Sequence, residues 1–163
     1  MDKKLLNEMN VQINKELYSG YLYLSMASHF EAENLPGFAH WMKLQAEEEL
    51  EHAMKFFEFL NEIGENVVLD AIEKPDSDFG GPTEIFEQAL EHEKYVTSRI
   101  NLLYKIALES DDYPTQMFLQ WFIDEQVEEE ANATAIVEML KIGGAKGNAL
   151  LMIDRQLASR EED

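Results

Sequence analysis

The chain has 163 residues, 33 acidic against 13 basic side chains, a formal net charge of −20 and no cysteine. A surface this acidic repels nucleic acid, whose binding depends on Lys and Arg contacts to phosphate, and it attracts cations. Without cysteine there is no disulfide framework and no thiolate metal site, so any metal must be held by Glu, Asp, His or water, which favours hard or borderline cations.

The first predicted helix runs from about Lys3 to about Glu33, where Asn34-Leu35-Pro36-Gly37 supplies turn chemistry. A second follows from about Phe38 to Glu62, with Gly64 near its C-terminal cap. A connection from Glu65 to Gly81 carries Val67, Val68, Leu69 and Ile72 and is expected to lie against the helices. Pro82 suits the first turn of a third helix, which runs to about Glu109. Asp111-Asp112-Tyr113-Pro114 marks another boundary, with an acidic cap and a proline just inside. The fourth helix is expected to reach about Lys141 and stop at Gly143-Gly144, and Lys146 to Arg160 reads as a short fifth helix. No apolar run reaches the length of a membrane span. The N-terminus opens directly into a helical pattern, so no membrane association and a cytoplasmic location are expected.

Short first and third connections make antiparallel pairs. Helices of roughly 26 residues are roughly 39 Å long. A connection of about 17 extended residues spans at most about 56–61 Å, enough to return along the bundle and start the third helix parallel to the second. The reading is all-α: one domain over residues 1–163, a four-helix bundle with one long crossover and a short fifth C-terminal helix.

Each of the four long helices has an apolar stripe with spacings of three and four, the seam of a bundle. The stripes read Leu6, Met9, Ile13, Glu16, Gly20, Tyr23, Ala27, Phe30; Met42, Gln45, Glu49, His52, Phe56, Phe59, Ile63; Phe86, Ala89, Glu93, Val96, Ile100, Leu103, Ala107; and Leu119, Phe122, Gln126, Glu129, Ala133, Ile136, Leu140. Near the middle of each, the stripe is interrupted by metal-ligand chemistry. Glu16, Glu49 with His52, Glu93, and Gln126 with Glu129 therefore converge in one layer of the bundle. Unpaired, these four carboxylates are strongly unfavourable in a low-dielectric core, and some would take up protons instead. No Lys or Arg lies on a seam at this depth, and two divalent cations would balance the charge, with Glu49 suited to bridge them. The other reading of the same residues is a metal-free bundle whose polar groups are half-exposed or tied to neighbouring hydroxyls.

Several stretches carry a family resemblance over essentially the whole chain: Glu16-Leu17-Tyr18-Ser19 with Tyr21-Leu22-Tyr23-Leu24-Ser25-Met26, Gly37-Phe38-Ala39-His40-Trp41-Met42, Glu48-Glu49-Leu50-Glu51-His52-Ala53-Met54, Trp121-Phe122, and Glu125-Gln126-Val127-Glu128-Glu129-Glu130. The chain resembles the non-haem prokaryotic ferritins, di-iron proteins of the ferritin-like bundle class. The resemblance implies a ferroxidase that oxidises Fe(II) with O2 or H2O2 and stores ferric mineral inside a homo-oligomeric, 24-subunit shell. It assigns Glu16, Glu49 and His52 to a first iron site, and Glu49, Glu93 and Glu129 to a second, with Gln126 alongside. Glu48, Glu125 and Glu128, with Glu129, resemble a third, inner iron site. Tyr23 and Trp121 resemble aromatic residues near the centre that supply electrons during oxidation; ordinary core packing explains them as well.

The departures narrow the kind. Haem-binding bacterioferritins carry a second Glu-x-x-His in the fourth helix, where this chain has Gln126 and Glu129, and a haem-ligand methionine where it has Leu50, so no haem is expected. Gln116 and Leu119 stand where animal ferritins place the acids of an iron pore. The lack of cysteine excludes a rubredoxin-like tail. His29, His40 and His92 are expected to be surface or helix-packing residues, and the methionines core filler. A di-iron oxidase or peroxidase without storage remains the alternative activity.

Overall fold

A computed structural model describes residues 1–162. It has five helices: α1 (Lys3–Ala32), α2 (Pro36–Glu62), α3 (Pro82–Glu109), α4 (Tyr113–Gly143) and α5 (Gly147–Leu157). Asp2 starts α1 by accepting from the main-chain N–H groups of Lys4 and Leu5 at 2.9 and 3.2 Å. The turn after α1 is tighter than expected: Asn34 takes the left-handed conformation (φ 57°), and Pro36 is already helical, two residues ahead of Phe38. Proline has no N–H to leave unsatisfied in a first helical turn, which is why the helix can begin there. Pro82 does the same for α3. Asp112 caps α4 by accepting from the Thr115 N–H at 3.0 Å. The helix runs on to Gly143, two residues past the expected Lys141, and ends where Gly144 adopts φ 79° and donates its N–H to the Leu140 carbonyl.

α1 packs on α2, α3 on α4, and α1 on α3. Residues 63–81 form the crossover. Its course is fixed by a ladder of polar side chains on α1. Asn10 accepts from the Val68 N–H at 2.7 Å and donates to the Asn66 carbonyl; Asn14 donates to the Ala71 carbonyl at 3.0 Å; Ser25 donates to the Asp76 carbonyl at 2.6 Å; and His29 meets the Gly80 carbonyl at 3.0 Å. The strap thus follows α1 from its start to its end, so α3 begins beside the end of α1 and runs parallel to α2, as expected. Its apolar side chains behave otherwise. Val67 is packed and Phe79 is buried in the core, but Val68, Leu69 and Ile72 between them face outward, where side-chain amides and hydroxyls hold the segment.

Two apolar clusters fill the bundle. One gathers Phe30, Phe38, Trp41, Met42, Phe86 and Leu140 at the end where α5 docks; the other gathers Leu5, Met9, Phe56, Leu60, Ile100 and Phe122 at the opposite end. Nine buried polar residues sit between them: Gln12, Glu16, Ser19, Gln45, Glu49, His52, Glu93, Gln126 and Glu129. α5 leans on α2 and α4. Asp154 accepts from the N–H groups of Gly37 and Phe38 at 2.8 and 3.1 Å, capping α2 from 117 residues away. A Cβ on Gly37 would lie 1.7 Å from the Asp154 carbonyl oxygen, so glycine is what lets the two backbones approach. No helix among the described residues is long and apolar enough to cross a membrane.

Candidate metal centre

All six residues expected in the central layer are buried, from 0% exposure at Glu16 to 5% at Glu129. Neutral donors hold their carboxylates. Gln12 donates to Glu16 at 2.8 Å. Gln45 donates to Glu129 at 2.9 Å and to Glu49 at 3.2 Å. Glu93 accepts a short hydrogen bond from the Tyr23 hydroxyl and another, at 3.2 Å, from the Gln126 amide. One oxygen of Glu16, Oε2, is buried with no hydrogen-bond donor. A buried carboxylate oxygen without a donor is costly unless a cation reaches it.

Burial is the main force on these groups. It pushes the Glu16, Glu49 and Glu129 carboxyls well above their ordinary range, with the Glu49 charge adding to the effect at Glu16 and the Glu93 charge at Glu49 and Glu129. Glu93 is raised too, against the opposing pull of its Tyr23 and Gln126 hydrogen bonds. Tyr23 is held well above the usual phenol range by burial and by Glu93. A metal-free layer therefore retains protons that a divalent cation would displace.

Two groups of side chains bring ligand atoms within 4.8 Å of one another: Glu16, Glu49 and His52, and His52, Glu125 and Glu129. His52 belongs to both, with Nδ1 3.4 Å from Glu49 and Nε2 3.9 Å from Glu125. The first group coincides with the residues the resemblance gives a first iron site. The second combines His52 of the expected first site with Glu125 of the third and Glu129, which the second and third share. Glu93 and Gln126 lie outside both groups and are joined to each other instead. The donor set is carboxylate oxygen with one imidazole, the chemistry of a hard or borderline cation.

Beside the second group lies a cleft of about 430 Å³ lined by Glu48, Glu125, Glu128, His52, Trp121 and Arg160, among others. Glu128 is exposed there, and Glu48 meets Arg160 at 2.5 Å. Trp121 is 42% exposed at the cleft, with its ring centroid 5.5 Å from that of His52, whereas Tyr23 is enclosed within the layer. The two aromatics expected near the centre thus occupy different environments. Of the three other histidines, His92 is packed among Tyr18, Tyr23 and Tyr95, with Nε2 2.7 Å from the Ser19 hydroxyl, and burial lowers it to about 4. His29 and His40 bind main-chain carbonyls.

Sequence reasoning missed three members of this region. Gln12 and Ser19 lie off the first stripe, one turn either side of Glu16 on a face that α3 also covers. Arg160 lies beyond α5 and reaches the centre only through the fold.

A ferritin-like domain profile matches residues 6–142, most of the chain and every residue assigned to the layer. The chain belongs to the ferritin family. This ferritin is 42% identical over 160 residues to a bacterial non-heme ferritin of Bacteroides fragilis, covering 98% of this chain and 99% of the relative. It is 38% identical to that of Campylobacter jejuni, over 96% and 94% of the two chains. Among solved structures, an open pore ferritin from the archaeon Archaeoglobus fulgidus superposes with a TM-score of 0.97 at 48% identity, over 99% of both chains. A form of the A. fulgidus ferritin engineered to be closed gives the same score at 47% identity, over 100% and 99%.

Proposed function

We propose that this ferritin is a ferroxidase and iron store. The supporting observation is the pair of adjoining ligand groups that share His52 inside a layer of four buried carboxylates, with a donor-free oxygen on Glu16. Fe(II) is the substrate. Glu16, Glu49 and His52 hold one ion; Glu49 and Glu129, joined by Glu93 once it turns from Tyr23, hold a second, with Gln126 beside it. Binding displaces protons from the raised carboxyls, so the layer exchanges protons for metal charge rather than accumulating either. Each iron gives up one electron. O2 takes the two electrons and two protons to form H2O2, or H2O2 takes the same to form two waters. Fe(III), a stronger Lewis acid, then hydrolyses and moves toward the cleft, where Glu48, Glu125 and Glu128 offer further oxygen ligands as a third site. The protein supplies binding, spacing and charge, and the iron supplies the redox chemistry.

Storage requires a shell. The relatives named above are ferritins, and the α1–α2 face presents Tyr21, Leu24 and Leu50 to solvent, each about half exposed. Neighbouring apolar side chains exposed in this way mark a contact surface, here one for a second copy in a 24-subunit assembly. Residues 1–163 act as one domain, in the cytoplasm, without haem: Leu50 and Glu129 stand where a haem ligand and a second imidazole would be needed.

The test is aerobic Fe(II) addition at low iron-to-chain ratios, followed by native mass measurement and electron microscopy. A fast oxidation phase that saturates near two irons per chain, and a mineral-filled shell at higher loading, is the expected result. Glu49→Gln should abolish the fast phase. A small oligomer that turns over without retaining iron would move the reading to a di-iron oxidase.

A further inference from the structure

Arg160 lies three residues past the end of α5, yet its side chain is only 17% exposed and makes four contacts. Its Nη2 meets Glu48 at 2.5 Å; its Nη1 donates to the Gln45 side-chain oxygen at 3.0 Å and to the Trp41 carbonyl at 3.1 Å; and its guanidinium lies 4.4 Å from the centre of the Trp41 ring. Its own carbonyl meets His40 at 2.8 Å. The guanidinium is thus fixed from several sides rather than floating on the surface.

Two consequences follow from donor chemistry. A guanidinium has only donors, so it selects the oxygen of the Gln45 amide. The amide NH2 is then turned inward, where it serves Glu49 and Glu129. At the same time Glu48, a carboxylate at the edge of the cleft, is engaged by Arg160 and stands outside the His52–Glu125–Glu129 group.

We propose that Arg160 is a positioning residue of the metal centre: a tethered cation that fixes the Gln45 amide and withholds Glu48 from the cleft until a divalent ion displaces it. The inference rests on the metal-centre reading above. In the metal-free chain the guanidinium supplies a positive charge at the cleft beside the His52–Glu125–Glu129 group, where Lys55 also lies. An arriving cation competes with it for Glu48, so an ion in the cleft is held more weakly than its carboxylates alone would dictate, as suits one that must pass on.

The test uses the assembled protein and Zn2+, which has no redox chemistry, titrated calorimetrically at neutral pH. Arg160→Met should tighten the weakest class of Zn2+ sites by about tenfold, the scale of one charge-assisted pair. Arg160→Lys keeps the charge but not the fork that reaches Glu48 and Gln45 together, so its affinity should fall between those of the parent and Arg160→Met. In a Glu48→Gln background, Arg160→Met should bring no gain at the weakest class of sites. Equal affinities in parent and Arg160→Met, a gain that survives Glu48→Gln, or a lysine variant that behaves like methionine each overturn the proposal. A crystal structure of the Zn2+-loaded parent is independent of any variant's folding: Glu48 should have left Arg160 for zinc, and a Glu48–Arg160 pair persisting beside an occupied cleft overturns the proposal. A parent chain that binds no Zn2+ at all instead removes the metal-centre reading, and this inference with it.

Discussion

The Gln45 side chain on α2 donates to Glu129 on α4, 84 residues away, at 2.9 Å. One neutral amide therefore joins two helices that share no short connection and steadies an anion that burial disfavours.

Replacing that amide should be felt at the metal. Gln45→Leu removes a hydrogen bond that holds the Glu49 and Glu129 carboxyls down, so both rise further and compete with metal more strongly as protons. Zn2+ affinity is expected to fall roughly tenfold or more, the usual scale for losing a group that orients a ligand. The loss should be larger at pH 6 than at pH 8. Calorimetry at the two pH values checks it, and a pH-independent loss would count against the protonation argument.

Stability of the metal-free chain should depend on pH with an unusual sign. Glu16, Glu49, Glu93 and Glu129 are all raised in the folded state. Above the ordinary carboxylate value the native state then binds more protons than the unfolded state, so stability falls as pH rises through the raised values. Divalent metal supplies the missing positive charge and should remove this slope. The thermal midpoint of chelator-treated protein is expected to be lower at pH 8 than at pH 6, and nearly level across the same range with Zn2+ bound.

Tyr23 and Trp121 should separate cleanly. Tyr23→Phe takes a buried hydroxyl from Glu93 and is expected to cost about 1–2 kcal/mol in the metal-free chain at neutral pH, since Gln126 remains to serve the same carboxylate. Trp121→Phe alters a half-exposed ring and should stay within about 1 kcal/mol. Denaturant unfolding of the two variants measures both. Equal losses would mean that Trp121 contributes more to the layer than its exposure allows.

Gly37→Ala should detach α5 while leaving the four-helix core folded. The added methyl would overlap the Asp154 main chain, so the helix must move away and its cap on Gly37 and Phe38 is lost. Limited proteolysis should then cut within residues 144–160 well before the bundle is attacked. The effect should exceed that of Asp154→Asn, which keeps a carbonyl acceptor for the α2 cap.

The bundle and most of its centre were legible in the chain because helical periodicity reports a buried face directly. Every residue of the third and fourth stripes, from Phe86 to Ala107 and from Leu119 to Leu140, is buried. The first stripe was too narrow. α1 packs against both α2 and α3, so Leu5, Gln12, Ser19, Leu22 and Met26 are buried as well, whereas a seam drawn for one partner passes through Leu6 and Gly20. At the end of α2 the buried residue is Leu60 rather than Ile63, which is 40% exposed where the helix gives way to the strap. Gln12, Arg160 and Asp154 carried no local signal, because what defines them is a partner on another element. The crossover lies along α1 as its apolar content suggested, but Val68, Leu69 and Ile72 face outward, because composition registers an apolar side chain and not that asparagines on α1 have already engaged the backbone beside it.

The polar layer also divides the oily interior in two. Each long helix crosses from one apolar cluster to the other through a waist where its side chains attract one another least. Without metal, the two ends of the bundle are bound together chiefly by the helices themselves and by a few amide hydrogen bonds, so amide hydrogens beside Glu16, Glu49, Glu93 and Glu129 should be exposed by local opening before those of the two apolar clusters that flank them. A cation held in the layer would act as a rivet through that waist. The load such a protein carries is then also what makes its two halves a single mechanical body.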